Sequence, residues 1–159
     1  MKRAAAEPST TTEGGIDLGP LVSSLGFLFR MGQVEVFDLF YETLGKLGLK
    51  PGEFSVLWVV YLNPGVRQGA VAETLRIKPA HMTKLVRSFE EDGLLDRHIP
   101  EADRRGIELR LTPTGESFVK DYAEEFFTYA ESETSRLTPS EARQLIALLQ
   151  KFTRLGGTS

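Results

Sequence analysis

Residues 71–111, VAETLRIKPA HMTKLVRSFE EDGLLDRHIP EADRRGIELR L, change their hydrophobic period, and that change decides the fold. Val71 to Leu75 reads as a short helix with Ala72 and Leu75 on its inner side. After a tight turn, Pro79 opens a longer helix that runs to Asp92. Proline suits a first helical position, where its missing N–H would have had no partner, and Gly93 is a natural stop. Met82, Leu85, Val86 and Phe89 fall at i, i+3, i+4 and i+7, one apolar stripe for burial. From Leu94 the period drops to two. Leu94–Ile99 and Ile107–Leu111 read as paired strands joined by a charged turn, Pro100–Gly106. Two helices across a tight turn, followed at once by a hairpin, spell a winged helix-turn-helix.

The flanks are helical. Leu18 to about Leu47 is apolar on more than one face, as expected of a helix that packs against both its own domain and a second subunit. A turn at Gly48–Gly52 leads to a short buried helix, Glu53–Leu62, which Asn63-Pro64-Gly65 ends. Beyond the hairpin, Thr112-Pro113 opens a long helix carrying Phe118, Tyr122, Phe126 and Tyr129. Thr138-Pro139-Ser140-Glu141 is a capping box that starts a last amphipathic helix with Ala142, Leu145, Ile146, Leu149 and Phe152. The fold class is therefore mainly α with a small β-hairpin wing.

Composition narrows the chemistry. The 159 residues suit one lobe plus an oligomerisation element, and 41% hydrophobic with 26% charged residues is ordinary for a globular protein. No apolar run approaches the ~20 residues that cross a bilayer, so no membrane partner is expected. Residues 1–17 read as a disordered tail without the apolar stretch of a signal peptide, which points to the cytoplasm. The absence of cysteine excludes disulfides, thiolate metal sites and thiol redox sensing. With His81 and His98 the only histidines, neither metal nor cofactor is expected. A net charge of −3 argues against a nucleic-acid partner, but its distribution argues the other way. Between Arg67 and Arg87 five basic residues stand against Glu73 alone.

Ala80, His81, Thr83, Lys84, Arg87 and Ser88 face away from the apolar stripe. A helix entering a DNA major groove needs donors for base edges and cations for flanking phosphates. An ordinary solvated face is the alternative for this helix taken alone. Arg76 in the turn and Lys78 before the helix extend the basic surface. The hairpin tip sets Arg104 and Arg105 side by side on a thin loop, where a guanidinium can reach a narrow minor groove. Asp103 is placed to hold Arg105 by a carboxylate–guanidinium pair.

Leu94-Leu95-Asp96-Arg97, Asp103-Arg104-Arg105-Gly106 and Leu109-Arg110-Leu111-Thr112-Pro113-Thr114-Gly115 together resemble the signature of the MarR family of regulators, as does Leu49–Leu57 upstream. The resemblance spans about residues 20–155. It implies an obligate homodimer gripping double-stranded DNA at a pseudo-palindromic operator, with residues 18–48 and 113–155 as a helical dimerisation region and 49–112 as the DNA-binding lobe. It also implies that Arg105 enters the minor groove and that Asp103 orients it. Where many members of the family carry glycine between the two short helices, this chain has Arg76. Either that turn is left-handed, at a cost of about 1 kcal/mol or more for a residue with a side chain, or it is differently shaped with Arg76 aimed at a phosphate.

The family resemblance further implies release from DNA by a small aromatic or phenolic ligand. Phe27, Arg30, Met31, Phe54, Trp58 and Tyr61 are the candidate pocket residues, with Arg30 a cation for a carboxylate. The competing reading makes the aromatics core and sends Arg30 to solvent or to Glu35 or Asp38. Two other functions compete with a ligand-released repressor. An enzyme with a winged-helix appendage lacks a nucleophile–base pair, a phosphate loop and a ligand cluster in this sequence. A winged helix serving only protein–protein contact is opposed by the basic tip and by the acid-free outer face of residues 80–88.

Overall fold

The computed structural model describes residues 10–12, 14–99 and 106–155, and divides into two units, residues 1–42 and 43–159. In the first, residues 10–12 and 14–17, expected as part of a disordered tail, form a tight reversal. Thr11 bridges Asp17, Thr12 N donates to the Ile16 carbonyl, and Gly15 supplies the left-handed residue at φ +76°. The long helix expected from Leu18 is interrupted. A 3-10 turn, Gly19–Ser23, carries Pro20 at its start and ends at Ser24, whose extended backbone (ψ 114°) sets it apart from helix α1, Leu25–Leu44. Within this unit α1 leaves Leu25, Leu28, Phe29, Met31, Val34, Phe37 and Tyr41 substantially exposed, Leu25 and Tyr41 each by 53%.

The second unit holds the remaining elements: a 3-10 turn Gly45–Leu47, α2 Glu53–Leu62, β1 Val66–Arg67, α3 Gln68–Thr74, α4 Pro79–Glu91, β2 Leu95–His98, β3 Glu108–Leu111, α5 Pro113–Ser132 and α6 Pro139–Thr153. Leu44, Leu49, Phe54, Val56, Leu57 and Val60 meet Val71, Met82, Val86, Phe89, Leu95, Leu109 and Val119 in its buried core. The sheet has three strands in the order β1-β3-β2, all antiparallel, with Val66 opposite Leu109 and Leu95 opposite Leu111. The strand β1 is an addition to the expected hairpin. Gly65, at φ +84°, turns the chain so that its N–H donates to the Leu109 carbonyl, and Gln68 N closes the ladder on Ile107. The next helix consequently starts at Gln68, three residues before the position its apolar pattern marks.

The Thr112 side chain fastens the start of α5 to the end of α4. Thr112 caps the helix, its Oγ1 accepting from Gly115 N at 3.0 Å and donating to the Gly93 carbonyl at 2.6 Å. A threonine cap is worth about 1 kcal/mol, and removing the second bond leaves the Gly93 carbonyl without its partner. Thr112→Val should therefore lower stability by about 1–2 kcal/mol, read as a reduced urea midpoint at unchanged slope. An unaltered midpoint would remove Thr112 from this role.

At the far end Thr138 and Glu141 close the expected capping box. The Glu141 carboxylate accepts from Thr138 N at 2.9 Å and from Thr138 Oγ1 at 2.7 Å, which holds its carboxyl below the usual carboxylate range. The helix it starts, α6, buries none of its residues, and Leu145, Ile146, Leu148 and Phe152 are 41–61% exposed. No helix among the described residues is long and apolar enough to cross a membrane.

Candidate nucleic-acid interface

The candidate surface is built on α4. Met82, Leu85, Val86 and Phe89 are buried, Met82 and Val86 fully, and this stripe fixes the helix in rotation about its axis. Ala80, His81, Thr83, Lys84, Arg87 and Ser88 are thereby turned outward, and all are exposed, as are Pro79 and the N-cap residue Lys78. Four short or polar side chains and two cations thus share one solvent-facing side of a helix whose other side is core.

Two of these groups are already engaged. The Thr83 hydroxyl donates to the Pro79 carbonyl at 3.0 Å and lies 3.4 Å from Gln68 Nε2, which ties the start of α3 to α4. Arg87 pairs with Glu91 at 2.9 Å along the helix, an exposed i,i+4 pair. Such a pair contributes only about 0.3–0.5 kcal/mol, so a phosphate can displace the carboxylate.

The turn between α3 and α4 is left-handed at its arginine. Arg76 has φ +54°, with its N–H on the Glu73 carbonyl, and Ile77 N follows onto Ala72. Of the two shapes open to this turn from sequence, the left-handed one is present. Its guanidinium, expected as a phosphate contact, instead donates from Nη2 to the Thr153 carbonyl of α6 at 3.3 Å.

The wing is held to the recognition helix by an ion pair, Arg97 to Glu90 at 2.7 Å. At the root of the wing the Arg67 side chain lies over Gly106, where an added Cβ would stand 3.3 Å from Nε. Neither Gln68 nor Arg67 stands out from sequence as a site residue. The only signal is a two-residue strand, too short to show a period. Asp103, Arg104 and Arg105, expected at the wing tip, lie outside the described residues.

The candidate ligand residues fall in both units. Phe27 is half-buried on α1, where Arg30 and Met31 are exposed and the Arg30 guanidinium lies 3.8 Å from the Met31 sulfur. On α2, Trp58 and Tyr61 are half-buried with ring centroids 5.7 Å apart, and Trp58 meets Phe127 edge-on at 4.9 Å. Phe54 sits deeper. It is 1% exposed and stacks on Phe126 at 4.4 Å, so it is a core residue behind Trp58.

A helix pair with an outward polar and cationic face, flanked by a three-stranded wing, defines a winged helix-turn-helix regulator. Comparison with known proteins narrows the class. A family model described as MarR family matches residues 47–106. A Thauera aromatica protein named as a putative transcriptional regulatory protein for the hcr operon is 29% identical over 155 residues, 97% of this chain and 93% of its own. The HTH-type transcriptional regulator BilQ of Clostridium symbiosum is 31% identical over 74% of this chain and 83% of its own. Among solved structures, the transcriptional repressor CouR bound to a 23-mer DNA duplex superposes with a TM-score of 0.80 at 27% identity, over 87% of this chain and 98% of that one. The chain belongs to the MarR family of transcription regulators.

Proposed function

We propose that the protein is a homodimeric, sequence-specific DNA-binding repressor of the cytoplasm. It binds a pseudo-palindromic operator and is released from it by a small aromatic carboxylate or phenol. The observation that carries the reading is α4, with four apolar side chains committed to the core and Lys84, Arg87, His81 and Thr83 turned to solvent together. Lys84, Arg87 and Lys78 would meet phosphates, and Ala80, His81 and Thr83 base edges. Arg104 and Arg105 would take the wing to the minor groove, with Asp103 orienting Arg105.

Dimerisation is supported by the apolar side chains that α1 and α6 each leave exposed, since helices of this kind are covered by a second copy in a soluble regulator. Support for DNA as the partner comes from CouR, whose structure holds a DNA duplex. The ligand reading rests on Trp58 and Tyr61 beside each other on α2, half-buried with their rings in contact. No residue is assigned a catalytic role.

Genomic fragments selected on the purified protein, labelled and titrated by fluorescence anisotropy, test this reading. The selected fragment should bind about a thousandfold or more tighter than a scrambled duplex. Hydroxybenzoates added to the complex should lower its affinity by about 5- to 150-fold. Equal affinity for selected and scrambled DNA would sink the DNA reading and leave a protein-contact module. Unchanged affinity across the aromatic acids would sink the ligand assignment alone.

A further inference from the structure

The side chain of Arg76 joins the two functional regions of the second unit. Its position in the turn between α3 and α4 is left-handed, a backbone that disfavours any residue bearing a Cβ and that glycine would fill without strain. The arginine that occupies it reaches 77 residues along the chain to the last residue of α6. There the helix leaves carbonyls without intrahelical partners and carries the negative end of its dipole, both suited to a guanidinium. The acceptor is held in place. Thr153 Oγ1 turns back to the Leu149 carbonyl at 2.7 Å, and Arg154, left-handed at φ 60°, caps the helix through its N–H on Gln150. Helix α6 buries none of its residues.

We propose that Arg76 is a positioning residue, tying the recognition turn to the end of α6 and so setting the distance between the two α4 helices of the dimer. The proposal rests on the dimeric DNA-binding reading above. In it α6 belongs to the subunit interface and α4 to the DNA, so a bond from the turn of one to the terminus of the other transmits the geometry of the interface to the reading heads. Release of the bond leaves each lobe intact but lets its tilt vary.

Arg76→Gly tests this, because it keeps the left-handed backbone and removes only the reach. Anisotropy titrations would compare wild type and variant on the selected operator and on versions with the half-site spacing changed by one base pair, each at three salt concentrations. The variant should lose about five- to tenfold of the wild-type preference for the native spacing, with an unchanged salt slope. In the DNA-free protein, amide exchange of residues 150–155 should be several-fold faster. A salt slope shallower by about 0.9 for each phosphate the variant no longer neutralises, with spacing preference intact, would make Arg76 a phosphate ligand and overturn the proposal. Unchanged spacing preference at an unchanged slope would overturn it too. Should wild type itself show no preference for any genomic fragment, the DNA reading fails and this inference falls with it.

Discussion

Replacing Gly115 by alanine is expected to destabilise the protein by about 4 kcal/mol or more, or to prevent folding, although alanine is the better helix former by about 1 kcal/mol. Gly115 is buried in the first turn of α5, directly against the backbone of Leu94. A Cβ there would collide with the Leu94 carbonyl oxygen and stand 2.8 Å from its carbonyl carbon and 3.2 Å from its Cα. No flexible side chain can give way. The Leu94 carbonyl accepts from Thr112 N at 3.1 Å, while Leu94 N is held on the Phe89 carbonyl at 2.8 Å. The glycine's own N–H is fixed on Thr112 Oγ1. Relief would have to move the wing or the start of α5, and with either the packing of Leu95 and Val119. Urea unfolding followed by the fluorescence of Trp58 measures the loss. A variant within about 1 kcal/mol of wild type would show that the strand and helix do not approach as described.

A second large effect is expected from salt. If Lys78, Lys84 and Arg87 meet phosphates in each half of a dimer, about six counterions leave the DNA on binding, for a slope near −5 in log affinity against log salt. Between 50 and 200 mM salt the operator affinity should then fall about a thousandfold. Lys84→Ala, placed twice in a dimer, should reduce the slope by about 2 and weaken all sequences alike. The protein's overall charge of −3 makes this a demanding prediction, since it must come from a local surface against a repulsive whole. A slope near zero would mean that these cations do not touch DNA, whatever the fold.

The recognition helix was the most legible part of the molecule. Its stripe of Met82, Leu85, Val86 and Phe89 has a single period, and burial followed that period without exception. Gly93, at φ +70°, and the Thr138 capping box were equally readable, because each meets a local backbone demand. Other features depend on residues distant in sequence. The strand β1 exists because β3 offers an open edge, and two residues cannot announce that. The bond from Arg76 to Thr153 has no local signature, although the unusual arginine in the turn could be marked from sequence. Phe54 shows a different limit. Helix α2 is apolar almost all round, so its pattern could not separate the ring facing Phe126 in the core from the shallower Trp58.

The division of labour on α4 bears on how such a protein diverges. Thr83 is tied by its hydroxyl to Gln68, but Ala80, His81, Lys84 and Arg87 contribute nothing to the buried core. Substitutions at these four positions change what the helix presents without moving the residues that hold it. If Ala80 and His81 meet base edges as proposed, a lineage can acquire a new operator at these two positions through single steps, each stable enough to survive. Duplicated copies of the gene would be free to separate their targets long before their architectures became distinguishable.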